Sequence, residues 1–279
     1  MNVKKQILNL SGAAVLLLAI VLICTPYFTT GYLDLRQKEE NDRNYLKTLE
    51  EERLAKEAIE RAYLLGKFDP AKRKGFVLIP REYTVTPFNI YLRKETLESF
   101  LEMRNAALKD KVDLKISSAA RNFDYQKMLW NNKWTGVTFV DGKDLSKSIP
   151  DGSERFRKIL EYSAAPGTSR HHWGTEIDIN AAIPSYFKTP KGAKEYEWLK
   201  KNAKNFGFCQ TYTLKGSSRP TGYNEEKWHW SYIPLASDLT KNMAKLVTYK
   251  EISGFMGDEY AAKQNLIKDY VLGINLDCF

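Results

Sequence analysis

The three histidines of this chain all lie in two short segments, Ser169-Arg170-His171-His172-Trp173-Gly174-Thr175-Glu176-Ile177-Asp178 and Glu226-Lys227-Trp228-His229-Trp230. Carboxylates stand beside them in both. If the segments serve one metal ion, whatever fold the chain adopts must carry them to one point. One candidate ligand set is His171, Asp178 and His229, which leaves Glu226 free as an acid/base group. Two imidazoles and one carboxylate with a fourth position open to water make the donor set of a catalytic zinc, whereas structural zinc sites are usually closed by four protein ligands.

With 279 residues, 43% of them apolar, the chain can bury one substantial core, and its two ends read as additions to it. Lys4 and Lys5 precede a nearly uninterrupted apolar stretch from Ile7 to Phe28, long enough to cross a bilayer. Lysines on that side place the N-terminus in the cytoplasm and the bulk of the chain outside it. Thr29-Thr30-Gly31 is a weak cleavage site, and Ile23 is bulky for lipid modification of Cys24. An uncleaved signal anchor over residues 1–32 is therefore expected. Residues 33–66 are dense in charge, with Leu54, Ala58, Ile59, Ala62 and Tyr63 at helical spacing, and form an amphipathic helical linker without a sustained heptad.

The net charge of +9 arises from lysines scattered among acids. No basic helix or arginine-rich tract is present, which argues against a nucleic-acid partner and for a solvated surface suited to an anionic polymer such as a cell wall. Cys24, Cys209 and Cys278 form no Cys-x-x-Cys, so zinc-finger and thioredoxin readings lapse. In an oxidising compartment Cys209 and Cys278 could pair and tie down the C-terminal tail; a buried free Cys209 beside Phe208 fits equally well.

Phe76-Val77-Leu78-Ile79-Pro80 opens the domain. Leu97, Phe100, Leu101 and Leu108 mark a helix, and Val112, Leu114 and Ile116 alternate as in a strand ended by Ser117-Ser118. A helix follows from Arg121 to Trp134. Glu176-Ile177-Asp178-Ile179-Asn180 alternates with period two, which puts the isoleucines on one face and Glu176, Asp178 and Asn180 on the other. A helix from Lys191 to Phe206 is stopped by Gly207, the aromatic run from Trp228 to Ile233 reads as a strand, and Leu239 to Val247 and Glu259 to Val271 as helices. Without regular βαβ alternation the class is α+β, a small mixed or antiparallel sheet flanked by helices.

Glu226 would share a face with His229 on a helix, but the aromatic run argues for a strand, where these positions face opposite ways. Glu226 must then lie in the preceding turn or at a bulge, while Glu225 has the right strand parity. Arg121 alone could be a surface residue at a helix start capped by Ser118. Trp173, Trp228 and Trp230 are core or cleft-wall residues by type.

These residues resemble the VanY-type D-alanyl-D-alanine carboxypeptidases, within the zinc peptidases that include the lysostaphin-like enzymes and the hedgehog signalling domain. The family's Ser-x-His-x-x-Gly-x-x-x-Asp is matched by Ser169, His171, Gly174 and Asp178, and its Glu-x-x-His by Glu226 and His229. Ser118-Ala119-Ala120-Arg121 and Gln126 are similar to its Ser-x-x-Arg followed by glutamine. By this spacing His171, rather than His172, is a ligand, and Glu226, rather than Glu225, is the base. The resemblance implies one zinc ion per chain held by His171, Asp178 and His229. It also implies Arg121 as the group that steadies the substrate carbonyl, and Ser118, Gln126 and Ser169 as lining of the substrate site. His172 becomes a neighbour or a substrate contact. Glu176 departs from the alanine that many members carry there, adding a charge beside the site. The domain is extended to residues 67–245, with 246–279 a helical extension of unassigned role.

The implied activity is removal of the terminal D-alanine from peptidoglycan stem peptides by a membrane-anchored enzyme facing the periplasm or cell exterior. An endopeptidase or LD-carboxypeptidase on the same fold, and a zinc-stabilised cell-wall binding module without turnover, are the rival readings. The oligomeric state is left open.

Overall fold

The computed structural model describes residues 12–279, with side chains from residue 16; Lys4 and Lys5, on which the expected orientation of the anchor rests, lie outside the described residues. The chain divides into two compact units, residues 1–57 and 58–279. One helix, α1 (Gly12–Leu64), fills the described part of the first. Between Leu16 and Leu64 it holds a stretch apolar and long enough to cross a membrane, and side chains such as Leu17, Ile20, Leu22 and Phe28 are exposed.

The second unit opens on the end of α1, where Tyr63, Leu64 and Leu65 are buried. β1 (Phe76–Leu78) pairs antiparallel with β2 (Tyr91–Arg93). α2 (Lys94–Lys109) then buries Leu97, Phe100, Met103 and Ala107 along one face and leaves Leu108 exposed. The expected strand at 112–118 is realised only as β3 (Ile116–Ser118). Its partner β4 (Glu176–Ile179) ends opposite Ile116, where Asn180 turns the chain at φ 60° and its side chain accepts the Lys115 N–H at 2.7 Å. Val112 and Leu114 are therefore buried ahead of the ladder rather than in it.

α3 (Phe123–Trp134) begins at the cap Asn122, whose side chain accepts from Tyr125 N–H. α4 (Leu145–Ser148) and α5 (Gly152–Leu160) are capped in the same way by Asp144 and Asp151. α6 (Pro190–Asn202) is capped by Thr189 and runs through a 3-10 turn to Gly207 at φ 75°. β5 (Phe208–Gln210) and β6 (His229–Tyr232) complete the sheet. α7 (Ile233–Leu246) starts earlier than the expected Leu239, because Pro234 falls in the first turn, where its missing N–H is not needed.

The four-stranded sheet has the order β3-β4-β6-β5 with antiparallel pairs throughout, so the class is α+β as read from the sequence. Ile116, Ile177, Ile179, Phe208 and Trp230 form one core with Phe100, Met103, Trp198 and Leu199 of α2 and α6. A second core joins Trp130, Phe156 and Ile159 to Ile252, Phe255, Leu266, Ile267 and Val271 of the tail. The tail is not the helix expected over 259–271. It is a 3-10 segment (Asp258–Gln264) and a π segment (Leu266–Val271), parted by Asn265 in the left-handed region at φ 46°. Cys278 at its end is bonded to Cys209 of β5, with Cα atoms 5.6 Å apart.

Candidate metal centre

The antiparallel register of β4 and β6 sets Asp178 opposite His229 and Glu176 opposite Ser231. Alternation along both strands then sends these four polar side chains to one face of the sheet, while Ile177, Ile179 and Trp230 pack into the core on the other. His171 reaches the same place from a 3-10 turn, Arg170–Trp173. That turn is ended by Gly174 at φ 71°, whose carbonyl accepts from Arg93 N–H at 3.0 Å. A Cβ at Gly174 would lie 2.4 Å from the Phe76 ring, so this entry into β4 requires glycine.

The His171 turn and the segment carrying Arg121 interlock through their backbones. Arg121 N–H donates to the His171 carbonyl at 3.1 Å, and His171 Nδ1–H donates to the Ala119 carbonyl at 2.7 Å. His172 Nδ1–H donates to the Arg121 carbonyl at 2.6 Å, while its Nε2 accepts from Gly167 N–H. Both nitrogens of this fully buried ring are thus used inside the protein, which makes His172 a brace for Arg121 and corrects its expected alternative as a substrate contact.

Three ligand atoms converge. His171 Nε2 lies 3.4 Å and His229 Nδ1 3.3 Å from Asp178 Oδ1, and one such atom from each residue lies within 4.8 Å of the others. The remaining nitrogen of His229 donates from Nε2–H to Glu176 Oε2 at 2.9 Å. Each imidazole therefore has its outer nitrogen committed to a protein acceptor, and the nitrogen that faces Asp178 is the one a metal would take in place of a proton. His171 Nε2 and Asp178 Oδ1 are buried without a hydrogen-bond partner, a state that a bound cation would relieve. Bonds of about 2.0–2.1 Å to a tetrahedral zinc would set its ligand atoms about 3.3 Å apart, the spacing seen from Asp178 to each imidazole. The residues fit the ion.

The electrostatics of the cluster are strongly polarised. Burial, then the charge of Arg121, pushes His171 down to about 4. Burial also opposes a charge on His229, but the facing carboxylates of Asp178 and Glu176 carry it up to about 9. Burial would raise Asp178, yet His171 and His229 hold it well below the usual carboxylate range. Glu226 behaves oppositely: burial, with Asp178 adding to it, lifts the carboxyl to about 7 against the pull of His229 and Arg121.

Glu226 stands in the turn before β6, donating from N–H to the Tyr212 carbonyl at 2.9 Å and accepting His229 N–H at its own carbonyl. Its carboxylate comes within 3.5 Å of His229 Nδ1. Glu225 turns elsewhere, toward the Tyr196 hydroxyl and Lys227. Arg121 Nη2 is 3.9 Å from Asp178 Oδ2, and its buried Nε has no partner. Ser118 and Arg121 share the wall of a cavity of about 600 Å³ with Phe88, Tyr91, Tyr125 and Met128. Gln126 and Ser169 are buried and do not line that cavity; Gln126 donates to the Ala164 carbonyl and keeps a buried, unpartnered Oε1.

Four further groups belong to this neighbourhood. The Tyr212 ring packs 4.9 Å from His229, and Tyr223, 5.0 Å from Tyr212, has a buried hydroxyl without a partner. Lys133 is pushed down to about 8, by burial first and then by Arg121. Glu176, which the sequence places on the Asp178 face as a charge beside the site, contacts a candidate ligand directly. Lys133 falls on the same face of α3 as Gln126, a signal the sequence did carry; the tyrosines lie in a loop with no period to read.

Among curated proteins, a D-alanyl-D-alanine carboxypeptidase of Enterococcus faecium is 27% identical over 154 residues, which cover 55% of this chain and 41% of the relative. The putative carboxypeptidase YodJ of Bacillus subtilis (strain 168) is 28% identical over 145 residues, covering 51% and 46%. The chain thus spans less than half the length of these two relatives. Solved structures with similarity include the LdcB LD-carboxypeptidase, at 24% identity and a TM-score of 0.46 over 70% of this chain and 79% of that one. A mutant of the vancomycin resistance D,D-pentapeptidase VanY in complex with Zn(II) has 24% identity and a TM-score of 0.43, over 66% and 93%. The family model for VanY, D-alanyl-D-alanine carboxypeptidase, matches residues 89–235, from just before β2 into α7, and so takes in every residue of the cluster. Because that match covers more than half of the chain, this protein belongs to the VanY D-alanyl-D-alanine carboxypeptidase family.

Proposed function

We propose that the chain is a zinc-dependent D-alanyl-D-alanine carboxypeptidase that trims peptidoglycan stem peptides. The observation that carries this reading is the pair of buried, unpartnered atoms His171 Nε2 and Asp178 Oδ1, converging with His229 Nδ1 beside Glu226 and Arg121. His171, Asp178 and His229 would hold one zinc ion, which supplies Lewis acidity toward a water molecule and a peptide carbonyl. Glu226, with its carboxyl lifted to about 7, takes the proton of the attacking water near neutral pH and delivers it to the leaving amine nitrogen. Arg121 directs its guanidinium at the carbonyl oxygen and offsets the negative charge that develops there. Ser118 shares the cavity wall with it. Gln126 and Ser169, buried and off the cavity wall, would support the site from within rather than touch the peptide. Lys133 still carries charge at neutral pH and adds to the positive potential that meets a terminal carboxylate.

The apolar part of α1 would anchor the enzyme in the cytoplasmic membrane, with the catalytic unit on the outer side. The Cys209–Cys278 bond supports that side, since disulfides persist in oxidising compartments. Digestion of purified muropeptides with mass-resolved products tests the reading: loss of a single alanine from pentapeptide stems, abolished by a chelator and restored by zinc, is expected. Loss of alanine from tetrapeptides only would make it an LD-carboxypeptidase, and internal cuts an endopeptidase. Stoichiometric zinc with no hydrolysis would leave a binding module.

A further inference from the structure

We infer that Glu176 is a positioning residue for the metal, fixing the orientation and tautomer of His229 and strengthening Nδ1 of that ring as a donor. The inference rests on the zinc site proposed above. Glu176 is fully buried, and its two oxygens divide the work. Oε1 accepts from Arg170 Nε at 3.3 Å, from the Ser231 hydroxyl at 2.6 Å and from the Thr175 hydroxyl at 3.3 Å. Oε2 faces His229 Nε2 at 2.9 Å, with the Thr211 hydroxyl at 3.3 Å.

Arg170 is itself immobilised. Its Nη1 donates to the Thr240 hydroxyl at 2.7 Å, its Nη2 to the Ser231 hydroxyl at 3.1 Å, and its guanidinium lies over the Trp173 ring. The result is a dry relay, Arg170 to Glu176 to His229, that ends at Nδ1. A simple buried ion pair would need only one carboxylate oxygen. Here the second is aimed at the imidazole, from a position fixed by the cross-strand register of Glu176 with Ser231 and Asp178 with His229.

The two candidate histidine ligands are consequently unequal. His171 Nδ1–H donates to a neutral carbonyl, that of Ala119, whereas His229 Nε2–H donates to an anion. A charged acceptor draws the proton further and leaves the opposite nitrogen more basic, which tightens metal binding.

The test uses the detergent-solubilised full chain. Glu176→Gln preserves volume and a carbonyl acceptor but removes the charge. It is expected to weaken zinc binding by about 10–100-fold in competition with a chromophoric chelator. It should also shift the visible bands of the Co(II)-loaded protein, a signature that loss of an unrelated ion pair would not move. Thr211→Val, which removes only a hydroxyl from the same oxygen, should leave both near wild type. Glu176→Gln with wild-type affinity and an unchanged Co(II) spectrum overturns the inference while leaving the zinc site intact. Should Glu176→Gln fail to fold, nitrogen-15 histidine NMR of the cadmium-loaded wild type decides. Metal coupling at His229 Nδ1 with a protected Nε2–H is expected, and coupling at Nε2 overturns the inference. Wild-type protein that binds no zinc would remove the site itself, and the inference with it.

Discussion

Glu226 and His229 share one turn, closed by the His229 N–H on the Glu226 carbonyl, so the proposed base is held by the same few backbone atoms that hold a proposed ligand. Replacing Glu226 with Gln should therefore leave the zinc content unchanged while lowering kcat by roughly 10²–10⁴-fold, the usual contribution of a general base. Released D-alanine measured beside the metal content separates the two. That His171, Asp178, His229 and Glu226 would converge was legible because imidazoles are scarce in this chain and the family spacing separated Glu226 from Glu225. The geometric reason for Glu226 appears only in the fold, where the turn frees it from strand parity. His172 could not be told from a ligand by its chemistry; Gly167 and the Arg121 carbonyl, far apart in sequence, settle its role. Tyr212 and Tyr223 were invisible because packing from other segments brings them in, whereas Lys133 shares a helix face with Gln126 that the sequence period already carried.

At the level of elements, the period-two pattern at 176–179 was read correctly, since a strand with one face on a core must alternate. The strand over 112–118 was over-extended because Val112 and Leu114 are buried for a different reason, against α2 rather than in a ladder. The tail misled in the other direction: its apolar spacing is helical, but left-handed Asn265 divides it. Cysteine spacing alone could not decide between a free thiol and a bridge. The bridge joins the edge strand β5 to the tail across a sequence separation of 69, and Asn275 of the same tail donates from N–H to the Thr211 carbonyl. Cys278→Ser should destabilise the second unit by about 2–4 kcal/mol, lowering its thermal midpoint by on the order of 10 °C. Calorimetry of wild type and variant under non-reducing conditions would show the shift, and adding a reductant should erase the difference between them.

For the molecule as a whole, the cluster makes stability depend on pH and metal together. His229, raised to about 9 from an ordinary 6.5, contributes stability that is fully present below pH 6.5 and lost as pH rises through 9. Glu226, raised from 4.5 to about 7, acts in the same sense at lower pH. His171 and His172, lowered to about 4 and about 3, make stability fall as pH drops below 6.5. Metal-free protein should thus be most stable near neutrality and weaken toward pH 9. Zinc-loaded protein should lack the alkaline loss, because the ion replaces the proton on His229. Thermal midpoints with and without chelator from pH 5 to 9 would show the gap widening above 6.5. The disulfide bears on the same centre in another way. Residues 214–218 form an exposed stretch that invites proteolysis. A cut there severs the chain between Asp178 and Glu226, yet it falls inside the ring closed by Cys209 and Cys278. The two pieces remain one molecule, and a clipped chain still carries both halves of the proposed site until a reductant releases them.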